Sequence, residues 1–208
     1  METNMFERKE QLLEAALDEF TSNSYDEASL NQIIKKAGIS KGSFYYHFEN
    51  KESLYLYLLH HSVTAKWQFI EQRSKEEQLQ TELTDIFEKF KFQARLGAEF
   101  GEQFPKYHKL SIMFTKEKGK EIYEIASEVL KTDSEKVLKD MIDKAMIEGN
   151  FRKELPTEFI YNVVSYLLRH YTDVFQQDED LTLNKMLENI DYFVDFLKNG
   201  IGNNKEIV

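Results

Sequence analysis

Residues 29–51, SLNQIIKKAGISKGSFYYHFENK, constrain this chain more than any other stretch. Ser29 is a strong helix N-cap, and Gln32 three residues later completes a capping box. Leu30, Ile33 and Ile34 then share one face of a helix that runs to about Ala37. Gly38 ends it, where a residue of positive φ is cheapest, and Ile39 fills the corner behind. Ser40 caps a second helix, with Phe44 and Phe48 one turn apart as its buried face. Lys41, Gly42, Ser43, Tyr45, Tyr46 and His47 are left looking outward. Such a face is chemically suited to phosphates and base edges. Two helices crossed through a short glycine turn make a helix-turn-helix, whose second helix fits the major groove. Asn50 then caps a third helix with Lys51 in its first turn. A lysine there opposes the helix dipole, at a cost of about a few tenths of a kcal/mol. That cost makes sense if Lys51 and the backbone N–H groups of the helix start meet a DNA phosphate. The same residues also fit a plain helical hairpin with ordinary caps.

The rest of the chain reads as helical. There are only two prolines and eight glycines in 208 residues, and no strand-like alternation of any length. Zero cysteines exclude disulfides, thiolate zinc sites and cysteine catalysis together. No stretch reaches the roughly 18 apolar residues of a membrane span, so a cytoplasmic protein without a membrane partner is expected. The net charge of −10 argues against broad DNA affinity. Residues 1–51 hold six Lys or Arg against nine Asp or Glu, but 35–51 hold four lysines and one glutamate. A local basic patch still binds phosphate, because screening confines charge interactions to about 8–10 Å. No phosphate-cradling glycine loop, metal spacing or nucleophile motif appears, and His60 and His61 lack partners at i+4. No cofactor, metal or catalytic residue is expected.

Periodicity places a first helix at about 6–22 and a long one from Asn50 to about Arg73. A charged break at 74–78 precedes a helix over about 79–96. Gly97, Gly101 and Pro105 suggest irregular backbone and a mobile gate before a short helix at 105–114. A helix over about 117–148, irregular near 132–134, closes at Gly149. Helices at about 157–176, capped by Thr157, and 181–199 follow, separated by the polar loop QQDED, and 200–208 read as a disordered tail. The fold class is therefore all-α, with about nine helices. Residues 1–51 form a three-helix head, its third helix continuing to about 73, and 52–199 form a second helical domain. The last two helices are apolar over more than one face, which implies a second burial partner. Trp67, Phe104, Tyr107, Met113 and Phe114, with Tyr123 and Tyr166, are candidate pocket wall. Arg169 and His170 interrupt an apolar helix, either to anchor a polar ligand group or to lie at a subunit seam. A pocket of this kind favours an apolar or aromatic ligand.

The run AGISKGSFYYHFENKESLYLYLL resembles the signature of the TetR family of bacterial transcriptional regulators, through Ala37, Gly38, Ser40, Gly42, Ser43, Phe44, Tyr45, His47, Phe48, Lys51 and Leu54. FRKELPTE, at 151–158, is a second, weaker point of likeness. Asn23, Ala28 and Ile34 depart from the family's usual glycine, hydroxyl residue and alanine, which leaves details of the head's packing open. The resemblance implies a homodimer paired through helices 157–176 and 181–199, a palindromic double-stranded DNA operator, and release by a small-molecule effector bound in the C-terminal body. Repression is the family's usual outcome. The expected DNA-contact set is Ser29, Ser40, Lys41, Gly42, Ser43, Tyr45, Tyr46, His47 and Lys51. Within it Tyr45, His47 and Lys51 are expected on the backbone, Ser43 and Tyr46 on bases. The competing class is a helical enzyme or scaffold protein with a vestigial DNA-binding head.

Overall fold

The structure, a computed structural model, describes residues 2–76, 85–170 and 183–201. Nine helices occupy them: α1 Glu2–Ser22, α2 Leu30–Lys36, α3 Lys41–His47, α4 Lys51–Glu76, α5 Ile86–Gln103, α6 Pro105–Lys116, α7 Glu121–Ile147, α8 Thr157–Arg169 and α9 Leu183–Ile201. None is long and apolar enough to cross a membrane. The chain divides into two compact units. The first is Met1–Trp67 with Gly101–Lys131, and the second is Gln68–Phe100 with Thr132–Val208. Residues 1–51 lie wholly within the first.

In the first unit, Leu12, Ala16 and Phe20 of α1 pack with Ile33 and Ile34 of α2 and Phe44 of α3. Leu54, Tyr55 and Leu58 of α4, Leu110 of α6, and Ile122 and Ala126 of α7 complete that core. The apolar stripes seen in the sequence are its walls, and α1 packs against both α2 and α6. The second unit has its own core of Ile86 and Phe87, Ile142 and Ala145, Phe151, Ile160 and Val164, and Phe193, Val194 and Leu197. Polar ties close its ends. The Ile86 N–H donates to Asn150 Oδ1 at 2.6 Å, and the Arg152 N–H to the Ile201 carbonyl at 3.1 Å.

Several boundaries differ from the sequence reading. The irregular loop expected over 97–105 is absent. Helix α5 runs through Gly97 and Gly101 to Gln103, and the only break is Phe104. Pro105 sits at N1 of α6, where its missing N–H is not needed. A Cβ at Gly101 would lie 3.4 Å from the His108 ring, so this glycine makes room for an imidazole rather than loosening the backbone. The break expected from 74 is helix as far as Glu76, and α7 continues unbroken through 132–134. It begins at Glu121 rather than 117, because Glu117 is the C-cap of α6 and Gly119 turns the chain at φ +89°. Pro156, not Thr157, occupies the N-cap of α8. Gly149 closes α7 at φ +73°, with the Asn150 N–H on the Ala145 carbonyl at 3.0 Å. The expected helix start at 79, the extension of α8 to 176, the 176–180 loop and the tail from 202 lie outside the described residues.

Candidate nucleic-acid interface

The serine and asparagine caps expected in 29–51 are present, but Glu19 replaces the Gln32 side chain in the capping box. Ser29 Oγ accepts the Gln32 N–H at 3.4 Å, while the Ser29 N–H donates to Glu19 Oε1 at 2.9 Å. Gly38 adopts φ +65°, and the Ile39 N–H reaches back to the Ile34 carbonyl at 3.3 Å. Ser40 Oγ accepts the Ser43 N–H at 3.1 Å. Asn50 and Ser53 cap α4 reciprocally, with the Ser53 N–H on Asn50 Oδ1 at 2.8 Å and the Asn50 N–H on Ser53 Oγ at 3.2 Å. Each helix end therefore has a local partner, which is why this segment was readable from residue spacing.

Helix α3 brings six of the expected contact residues together on seven positions. Phe44 is fully buried and stacks on Phe48 at 5.9 Å. Lys41, Gly42, Tyr45 and Tyr46 are exposed, and Ser43 and His47 half-buried. Tyr46 is 74 % exposed, its ring edge-on to His47 at 5.0 Å. Two phenols left more than half exposed on so short a helix offer flat faces and hydroxyls to a partner. Ser29 belongs to the cap of α2, half-buried beneath this surface.

The cations are fewer than the sequence implies. Lys36 pairs with Asp18 at 2.8 Å, and Lys106 of α6 pairs with Asp18 at 2.6 Å. Lys51 was expected on a phosphate. Its Nζ instead donates to the carbonyls of Tyr25 at 2.7 Å, Ala28 at 3.0 Å and Asp26 at 3.3 Å. It also lies 4.5 Å from the centre of the Tyr25 ring. The segment between α1 and α2 had folded back onto the start of α4, a contact between residues 26 apart that local spacing does not reveal. Lys35, Lys36 and Lys41 are the exposed lysines of the motif, and Lys36 stays exposed while paired with Asp18.

The residues expected to line a ligand pocket are not one group. Trp67, Phe104, Tyr107, Met113, Phe114 and Tyr123 lie in the first unit. There Phe104 and Tyr107 rings are 6.2 Å apart, and Phe114 stacks on Tyr123 at 4.8 Å. His61, which lacks a metal partner at i+4, is half-buried and meets Tyr107 edge-on at 6.2 Å. Burial, with Lys9 nearby, lowers its pKa and favours the neutral ring. Tyr166 and His170 belong to the second unit, stacked at 4.1 Å. The Arg169 side chain lies outside the described residues. Tyr166 lines an open, shallow groove of about 520 Å³ with Phe159, Asn162, Val163, Leu167 and Phe196. Phe159, Tyr166 and Phe196 are 48, 59 and 68 % exposed, so α8 and α9 carry an apolar face unburied within the chain. In the sequence the sign of it was apolar residues off the buried stripe. What spacing missed entirely is the pair Glu117 and Lys120, which reach the segment between α1 and α2.

Comparison with known proteins agrees with this geometry. Residues 12–58 match the family model described as bacterial regulatory proteins, tetR family. An uncharacterised HTH-type transcriptional regulator of Bacillus subtilis (strain 168), YdgC, is 25 % identical over 175 residues, 84 % of this chain and 84 % of its own. The biofilm operon icaADBC HTH-type negative transcriptional regulator IcaR of Staphylococcus epidermidis is 38 % identical over 47 residues, 23 % of this chain and 25 % of its own. Among solved structures, the transcriptional regulator FadR of Bacillus subtilis in complex with stearoyl-CoA aligns with a TM-score of 0.68 and 18 % identity, over 93 % of this chain and 99 % of its own. That likeness is one of fold.

Proposed function

Because the chain belongs to the TetR family of bacterial transcriptional regulators, we propose that it is a repressor that binds a palindromic operator as a homodimer and is released by a small-molecule effector. The observation that carries the DNA half of this reading is the outward face of α3. Lys41, Gly42, Tyr45 and Tyr46 are exposed together there without serving the chain's own core. Ser43 and Tyr46 are assigned to base edges, and Ser40, Tyr45 and His47 to phosphates. The exposed aromatic face of α8 and α9 supports pairing through these helices about a two-fold axis, which sets two copies of α3 about 34 Å apart, or a multiple. Repression has support from IcaR, a negative regulator 38 % identical to this chain over 47 residues.

The first test is affinity selection of random duplex DNA by the purified protein, read by sequencing. A palindrome with half-sites at one-turn spacing is expected, and a folded, dimeric protein that enriches nothing, even after denaturation and refolding to strip ligand, would falsify the reading. The salt response should be shallow. With Lys36 held by Asp18, the exposed Lys35 and Lys41 give a slope of log K against log[salt] of about −4 for a dimer. A slope near −8 would show that further cations reach phosphate.

Gly42 offers a sharper check. Its φ lies outside the left-handed region, and a Cβ there would meet only Ser40 Oγ, at 3.8 Å. Nothing in the chain requires glycine, which costs a helix about 0.5–1 kcal/mol relative to alanine. Close approach of DNA to the α3 backbone explains it. Gly42→Ala is expected to raise the head's stability by about that amount while weakening operator binding about tenfold or more. Unchanged affinity would remove Gly42 from the interface.

The effector is an apolar or aromatic small molecule, with Trp67, Phe104, Tyr107, Met113, Phe114 and Tyr123 as its proposed wall. FadR, which shares the fold, holds stearoyl-CoA. Tyr166, expected in the pocket wall, is assigned instead to the subunit seam with His170, for which the seam was the second of two roles its sequence context allowed. Release requires the effector to favour the non-DNA form by about 1–3 kcal/mol of coupling, whatever its absolute affinity. Trp67 is the chain's single tryptophan. A compound that frees operator DNA should therefore change its fluorescence, and one that frees DNA with emission unaltered argues for a different wall.

A further inference from the structure

The segment between α1 and α2 is gripped from both sides by residues far away in sequence. On one side the Lys51 ammonium has three protons, and three carbonyls receive them: Tyr25 at 2.7 Å, Ala28 at 3.0 Å and Asp26 at 3.3 Å. The face of the Tyr25 ring, 4.5 Å away, covers the cation further. On the other side the Tyr25 N–H donates to Glu117 Oε1 at 2.8 Å. Glu117 is almost fully buried, so its charge depends on fixed partners. Lys120 supplies one, 2.7 Å from Glu117 Oε2, and reaches on to Asp26 Oδ2 at 3.2 Å. The two ammonium groups and the Glu117 carboxylate thus hold residues 25–28, which bring two carboxylates of their own, Asp26 and Glu27. The Tyr25 ring completes the site, packed 5.0 Å from the buried Tyr55 and 6.3 Å from Phe20. All of these residues lie in the first unit.

We propose that Lys51 is a positioning residue for operator binding and not a phosphate contact, and that Lys51 and Glu117 together clamp Tyr25 to fix the pose of the helix-turn-helix. The inference rests on the DNA-binding reading and deepens it. Residue 28 directly precedes the N-cap of α2, and Lys51 directly follows the turn that leaves α3. The lysine therefore joins the entrance of the motif to its exit and closes residues 28–51 into a ring. Glu117, at the C-cap of α6, holds that ring from outside. The geometry also removes the oddity of a lysine at a helix N-terminus. Its charge is spent on three carbonyl dipoles of the preceding segment and not set against the positive end of α4.

The salt response separates the two roles, since a residue that only positions the motif releases no counterions. A duplex recovered by affinity selection is titrated by fluorescence anisotropy over a salt series, with circular dichroism on every variant. For Lys41→Met, an exposed cation on α3, the slope of log K against log[salt] should become shallower by about two per dimer. For Lys51→Met, binding should weaken about tenfold or more with the slope unchanged. Lys51→Arg should not restore it, because a planar guanidinium cannot serve three converging carbonyls. Glu117→Gln should also weaken binding at constant slope, and the double variant Lys51→Met/Glu117→Gln should lose less than the two single losses combined. The proposal is overturned if Lys51→Met flattens the slope as Lys41→Met does and Lys51→Arg recovers it. If Lys51→Met does not fold, Glu117→Gln decides, and wild-type affinity in that variant overturns the clamp. Absence of any DNA binding by the unsubstituted chain overturns the DNA reading itself, and is recognisable because no slope exists to compare.

Discussion

Phe196→Glu is expected to turn the dimer into a folded monomer that no longer holds its operator. Phe196 is 68 % exposed and lines a groove with Phe159 and Tyr166, which are 48 and 59 % exposed. Burial of an aromatic side chain contributes about 1.5–3 kcal/mol, and a two-fold seam uses each residue twice. A glutamate at the same place removes that gain and puts a carboxylate against apolar rings, at about 2 kcal/mol or more for each copy. The dimer dissociation constant should rise by about a thousandfold or more, which sedimentation velocity will read directly. Operator binding falls with it, because one head on one half-site forfeits an avidity gain of about 10²–10⁴. Helicity should be retained, since this side chain is not part of the second unit's core. A variant that remains dimeric at micromolar concentration places the seam elsewhere.

The second large effect is Phe44→Ala. Phe44 is fully buried at the centre of the first unit and packs against Phe48 and Tyr45. Truncation leaves a cavity and costs about 3–5 kcal/mol. Domains of this kind are stable by only about 5–15 kcal/mol, so the first unit should melt much earlier or not fold at all. The second unit has a separate core, around Phe151 and Ile142, and should unfold where it did before. Calorimetry should therefore show one transition moved and one retained, with operator binding lost and dimerisation kept. A single transition shifted as a whole would mean that the two units unfold cooperatively.

The turns of the helix-turn-helix were legible because their caps are local. Ser29, Gly38, Ser40 and Asn50 each act within five residues of themselves, and the Phe44–Phe48 pair is one turn long. The intramolecular bonds of Lys51 were not legible, for the opposite reason. Its partners come from a segment 23 to 26 residues earlier, and a lysine in the first turn of a helix looks the same whether it faces a phosphate or three carbonyls. Gly101 illustrates a different failure. Glycine and proline crowded into nine residues read as broken backbone, yet the helix continues and the glycine answers to the ring of His108. The candidate ligand residues were chosen by type alone, and residue type does not say which aromatic rings meet. Phe104 with Tyr107, Phe114 with Tyr123, and Tyr166 with His170 became visible as separate pairs only once the helices were packed.

The engagement of Lys36 and Lys51 within the chain has a consequence for how many molecules a cell needs. A regulator with a broad cationic face is titrated by the chromosome, since every stretch of backbone is a weak competitor for it. Here the motif offers three exposed lysines per subunit, one of them paired with Asp18, on a chain whose net charge is −10. Each unproductive encounter is correspondingly brief, and little of the pool is stored on decoy sequence. For the effector-released dimer proposed above, occupancy of a single operator would then be governed by the number of free dimers and by effector level, with small dependence on genome size. Gene control of this kind works at low copy number and responds quickly when the effector appears.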